Sequence, residues 1–156
     1  MWRNTVLALS LTLNMLFVFG LTLHFVGVTG AVFSDSEPRG IYRTTISPVT
    51  RGAIVELGQL SKHVAGVPGD TIRVTPEGSY INGELWPNSA PIGQDYKPFP
   101  FGTYKLGPGQ YWLLGRNPSS WDSRYAGFIP WDLIYSTITP VWTISNGYAP
   151  GARPWK

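Results

Sequence analysis

Past residue 33 the chain never runs far without a glycine or a proline. Turn signals recur at Pro38, Gly40, Pro48, Gly52, Gly58, Gly66, Pro68-Gly69, Pro76, Gly78 and Asn82-Gly83. Each one bends or stops regular structure. The intervals are too short for ordinary helices but suit strands. Their contents agree: Ile41–Ile46, Ala53–Leu57, Lys62–Val67, Thr71–Val74, Ser79–Ile81 and Tyr111–Leu114 carry β-branched and aromatic residues, which fit a pleated surface. Asn82-Gly83 predicts a hairpin turn with positive φ. Trp86 to Gly109 reads as an irregular excursion, Gly115 to Ser123 as a polar loop, and Ile134 to Ile144 as a closing strand interrupted at Pro140. The last residues, 146–156, are expected to be loosely held. With no internal repeat, the pattern predicts one compact all-β domain of short strands.

The N-terminus is the exception. Val6 to Val28 reads VLALSLTLNMLFVFGLTLHFVGV, without a formal charge when His24 is neutral. Roughly 20 apolar residues of helix span a bilayer core, so the run predicts one transmembrane helix. A cleavable signal peptide is the alternative, but its apolar region is shorter, about 7–15 residues. Asn14 and His24 are expected to be satisfied at the helix face or the headgroups. Gly27 to Phe33 reads as a small-residue linker, which divides the chain into an anchor over 1–33 and a second unit over 34–156. Arg3 lies at one end of the run and Arg39 and Arg43 beyond the other, so charge does not fix the orientation.

Several function classes are disfavoured. The net charge of +3 comes from 12 basic and 9 acidic residues with no basic run of four, which leaves no footprint for nucleic acid. There is no cysteine, hence no disulfide or thiolate metal site. The two distant histidines lack metal-ligand spacing. Gly107-Pro108-Gly109 has no following lysine or helix to make a phosphate loop.

Three boxes remain. The first is Ser34-x-Ser36-x-Pro38-x-Gly40-x-Tyr42, a poor helix former that suits an extended loop presenting a hydroxyl. The second runs from Lys62 to Asp70, Lys-His-Val-Ala-Gly-Val-Pro-Gly-Asp. The third runs from Gly115 to Pro130 and contains Ser119-Ser120-Trp121-Asp122-Ser123-Arg124. In this order, after one apolar segment, they resemble the signal peptidase I family of serine–lysine membrane proteases, and within it the TraF-type peptidases of conjugative transfer. The resemblance covers most of the chain. It departs from the usual pattern at Glu37, where leader peptidases have methionine, and at Gly115-Arg116-Asn117, where Gly-Asp-Asn is usual; Pro118 is also atypical.

The resemblance implies Ser36 as nucleophile and Lys62 as general base. The chemistry is coherent, because a serine hydroxyl needs a base and a lysine serves only when neutral. Its ordinary pKa of ~10.4 must therefore be depressed by desolvation, and Ile54, Val55, Leu57, Val64, Ala65 and Val67 are apolar neighbours in sequence. The family pattern further implies Ser34 as an oxyanion donor with the Ser36 N–H, and Ser120 as the hydroxyl that orients the amine. Asp122 and Arg124 match a supporting pair, structural or catalytic. His63, next to Lys62 on a strand, should point the other way and is expected at the surface. Trp112 is expected in the core, and some of Trp121, Trp131 and Phe128 at a lipid interface.

The implied activity is that of a single-span inner-membrane serine endopeptidase with its catalytic domain on the periplasmic side and no cofactor. Its partners would be the membrane and an exported precursor polypeptide, a pilin of a conjugation system by resemblance, with hydrolysis or cyclisation resolving the acyl-enzyme. A general leader peptidase and a catalytically silent anchored assembly protein are the alternatives.

Overall fold

The computed structural model describes residues 2–25, 28–32, 37–92 and 96–144. Helix α1 spans Trp2–Phe25. Three of its polar side chains bond within the helix: Thr12 Oγ1, Asn14 Nδ2 and Thr22 Oγ1 each donate to the carbonyl four residues earlier, at 2.8–2.9 Å. Its side chains are described without a break only over 8–22, and among the described residues no helix is long and apolar enough to cross a membrane.

The remainder is antiparallel sheet. Strands β1 (Val28–Val32), β2 (Arg39–Thr45), β3 (Ile54–Leu57), β4 (Leu60–Gly66), β9 (Gln110–Leu114), β10 (Ile129–Pro130) and β11 (Ser136–Ile144) form one sheet in the order β1-β2-β11-β3-β4-β9-β10. Strands β5 (Thr71–Thr75), β6 (Gly78–Ile81), β7 (Glu84–Leu85) and β8 (Gly102–Lys105) form a second sheet in the order β7-β6-β5-β8. A short helix, α2 (Ser123–Ala126), and a 3-10 turn at Trp131–Leu133 complete the described elements.

The expected all-β character is present, with local differences. Residues read as a linker instead form β1, which pairs with β2; small residues gave it no periodicity, and it gains order from the edge it joins. The supposedly irregular stretch contains β8. β11 is not cut at Pro140, although its register against β2 shifts between Pro140 and Trp142, where proline has no N–H to give. Gly40 faces this shift: a Cβ there would lie 2.1 Å from the Trp142 carbonyl oxygen. The Asn82-Gly83 turn has φ of 51° and 92°, as its sequence predicts.

Strands β4 and β9 are the structural centre because both of their faces are covered. Ala65, Trp112 and Leu114 pack with Ile72, Val74 and Leu106. Phe99 and Phe128 add edge-on contacts to Trp112, with ring centroids 5.6 and 6.0 Å away. On alternate positions Val64 and Leu113 pack with Val55, Tyr111 and Ile129. A third cluster, Tyr42, Ile54 and Ile138, joins β2 to β3 and β11. Trp112 is core, as expected, whereas Trp121 and Trp131 are exposed and Phe128 is partly buried.

Candidate active site

Lys62 sits in the middle of β4, directly opposite Val55 of β3. Period-two alternation puts it on the face of Val64 and Leu113, so a charged side chain projects among aliphatic ones. It is 3% exposed. A cleft beside it is walled by Leu57, Leu60, Leu113, Trp121 and Ile129. Its Nζ donates to Ser120 Oγ at 2.7 Å. Burial pushes the Lys62 pKa below its ordinary 10.5; the carboxylates of Asp122 and Glu37 push it back up, Arg124 pushes it down, and burial prevails.

Ser120 reaches the amine because the chain folds back tightly after β9. Ser120 N–H donates to Asn117 O at 3.0 Å, closing a turn. A Cβ at Gly115 would lie 2.5 Å from Ser120 Oγ and 2.8 Å from its Cβ. Only glycine allows this approach, which gives the first residue of the third box a packing role.

Asp122 organises the loop. Its Oδ2 accepts from Gly115 N–H at 2.7 Å and Arg124 Nη2 at 2.6 Å, and its Oδ1 from Arg124 Nε at 2.8 Å. It also caps α2 by accepting from Arg124 N–H at 3.1 Å, the usual service of an aspartate at a helix start. Arg124 is 1% exposed and donates further to the carbonyls of Asn88, Pro118 and Asn117 at 2.9, 2.5 and 2.9 Å. This bidentate, fully bonded arrangement is the kind that tolerates a buried ion pair. Ser123, which carried no sequence signal, is also buried, and its Oγ accepts from Leu113 N–H at 2.8 Å, fastening α2 to β9.

The structure thus brings Lys62, Ser120, Asp122 and Arg124 together. Ser34 and Ser36 lie outside the described residues; the first box is described from Glu37 onward. There Tyr42 OH donates back to Pro38 O at 2.7 Å, closing the box on itself.

The surface position expected for His63 is incorrect. The residue does point away from Lys62, but β4 is covered on that face too, and His63 is 4% exposed. Its Nε2 is 2.9 Å from Glu37 Oε2. Arg116 Nε lies 3.0 Å from His63 Nε2 and 3.4 Å from Glu37 Oε2. Glu37 is fully buried. The signal was available: Glu37 and Arg116, two departures from the family pattern, are of opposite charge.

The family model described as "Signal peptidase, peptidase S26" matches residues 4–142. A plasmid transfer protein TraF from Escherichia coli is 30% identical over 118 residues, covering 72% of this chain and 63% of its own length. A second Escherichia coli TraF is 31% identical over 142 residues, covering 70% and 80%. A probable signal peptidase I-2 from Synechocystis sp. is 37% identical over 73 residues, covering 44% and 31%. The chain therefore spans less than two thirds of the first of these relatives. Among solved structures, a signal peptidase I from Enterococcus faecalis V583 aligns with a TM-score of 0.44 at 25% identity, over 61% of this chain and 100% of that one.

Proposed function

This chain belongs to the signal peptidase S26 family, and from that premise we propose that it is a membrane-anchored serine endopeptidase that processes an exported precursor. The observation that carries the reading is the buried Lys62 amine, set among aliphatic side chains with its pKa depressed and its Nζ on Ser120 Oγ. A lysine held this way becomes a free base at lower pH than a surface lysine.

In this reading neutral Lys62 takes the proton of Ser36 as its Oγ attacks the scissile carbonyl. The Ser34 hydroxyl and the Ser36 N–H stabilise the oxyanion. The lysine, now an ammonium, returns the proton to the departing amine, leaving an acyl-enzyme on Ser36. Water then releases the acid; an amine of the substrate itself would instead close a ring and release no acid. Ser120 holds the amine in place, and the Asp122–Arg124 pair holds the loop that carries Ser120. The apolar cleft beside Lys62 suits a small apolar side chain next to the scissile bond.

Residues 1–33 act as anchor and 34–156 as the peptidase unit, with the latter on the periplasmic side of the inner membrane. The support is the uncharged run of α1, in which Thr12, Asn14 and Thr22 bond to the helix's own carbonyls, as a lipid environment favours. An anchor confines enzyme and precursor to one surface and raises their effective concentration. In this reading the precursor is a conjugative pilin, a choice supported by similarity to plasmid transfer proteins.

The test is processing of the precursor by Ser36→Ala and Lys62→Ala in cells that carry the transfer genes. Both variants should accumulate unprocessed precursor. Normal maturation with either one refutes the proposal.

A further inference from the structure

We propose that Glu37, clamped by His63 and Arg116, is the positioning residue for the nucleophile. This rests on the serine–lysine reading of the site and adds to it a set of groups outside the dyad and its supporting loop.

A glutamate side chain with no solvent exposure is costly to keep unless its charge is met by hydrogen bonds and a cation. Both are present. His63 Nε2 stands 2.9 Å from Oε2, and Arg116 Nε 3.4 Å from the same oxygen. The two partners come from different parts of the fold: His63 is the strand neighbour of Lys62, and Arg116 follows β9 at the start of the third box. Glu37 therefore ties the first box to the second and third at one point. Tyr42 fastens the same box one residue further on, through its hydroxyl on Pro38 O.

The restraint reaches Ser36 through covalent geometry. Ser36 precedes Glu37 in the sequence, and consecutive Cα atoms are ~3.8 Å apart across a trans peptide. One fixing group, His63, belongs to the strand that carries Lys62, and the clamp thereby relates the residue after the nucleophile to the base. A methionine at 37 would fill the space but could not hold a histidine and an arginine at once. The polar groups facing Glu37 are His63 on β4 and Arg116 after β9, with Tyr42 of β2 and Lys62 nearby. Tyr42 is pushed up to about 12, chiefly by burial and then by Glu37.

The experiment uses the full chain in detergent with p-nitrophenyl butyrate, an activated ester whose phenolate release reports acylation of the serine. Glu37→Ala and His63→Ala should each slow the acylation burst about 10- to 100-fold, the penalty expected for a misplaced reacting group, with little change in the ester concentration at half-saturation. The double variant should be no slower than the worse single one, because the two residues act as a unit. Glu37→Gln, which keeps the shape and loses the charge, should shift the acid limb of the acylation rate to lower pH, since the carboxylate opposes loss of the Lys62 proton. Wild-type acylation rates in both alanine variants overturn the proposal. So does a loss that follows only the folded fraction, measured by thermal melts of the same samples. A wild-type protein that never acylates at Ser36, by intact mass, fails at the level of the serine–lysine reading itself.

Discussion

Lys62 Nζ donates to Ser120 Oγ at 2.7 Å, while the oxygens of Asp122, two residues beyond, accept from the Gly115 N–H and the Arg124 guanidinium. The hydroxyl is thus the neutral partner of the amine, and the carboxylate acts on it through space. Ser120→Ala should leave the amine short of a buried partner, which costs ~1.5–3 kcal/mol for a charged donor. The acylation rate should fall about 10- to 100-fold with substrate binding little altered. Ser120→Thr, which keeps the hydroxyl, should recover most of it. Burst kinetics of the two variants check this.

The pH dependence follows from the depressed pKa of Lys62. Acylation requires the neutral amine, so the rate should rise with pH through the folded-state pKa and level off below 10.5. Stability runs the same way. Below the folded pKa the buried ammonium destabilises the fold in full. As pH rises from there to the unfolded value of ~10.4 the penalty disappears. Lys62→Met should therefore be inactive yet more stable than the parent at neutral pH, with the difference vanishing at high pH. Denaturant titrations at several pH values measure it.

Asp122→Asn should unfold the protein more easily, because it strands the buried Arg124 guanidinium. Breaking one side of such a pair costs ~3–5 kcal/mol, which is roughly 10 °C in Tm for a chain of this size. Replacing both partners by apolar residues, Asp122→Leu with Arg124→Met, should recover part of the loss. Thermal melts of the three variants test the coupling.

Asp70 gives an acid limb to stability. Burial pushes its carboxyl up, but the Val67 N–H, Asn82 and Arg51 together outweigh that and hold it below 3.8. The stabilisation is complete above the unfolded value of ~3.9 and is lost as pH falls through the folded one. Asp70→Asn should cost stability at neutral pH and little in strong acid. Urea midpoints at pH 7 and pH 2.5 should show the difference shrinking.

Much of this was legible in the residues because turn chemistry is local. Asn82-Gly83 needs positive φ, and Gly, Pro and β-branched residues divide the chain into strands without tertiary information. Helix α2 was not read from the sequence: Asp122 before Ser123-Arg124-Tyr125 is an ordinary helix start, but four residues are too few to stand out from the polar loop. Which strands would be covered on both faces was not legible. His63 follows Lys62 as any polar residue on a half-exposed strand might, and only the burial of β4 between β3 and β9 makes it an interior group. β1 and β8 gave no periodic signal because Thr29-Gly30-Ala31 and Gly102-Thr103 are ordered by their neighbours' edges.

Among the described residues β2 is paired with β1 on one side and β11 on the other, and Thr45 of β2 meets Thr137 of β11 from 92 residues away. A nascent chain emerging from the ribosome can close the β3–β4 hairpin early, but β2 is joined to β3 only through β11, so that link waits until residues 136–144 have been made. Joining such distant segments is the slow part of assembly. Strand β2, although translated early, therefore meets β11 late. A half-made chain lacks the strand that joins β2 to β3.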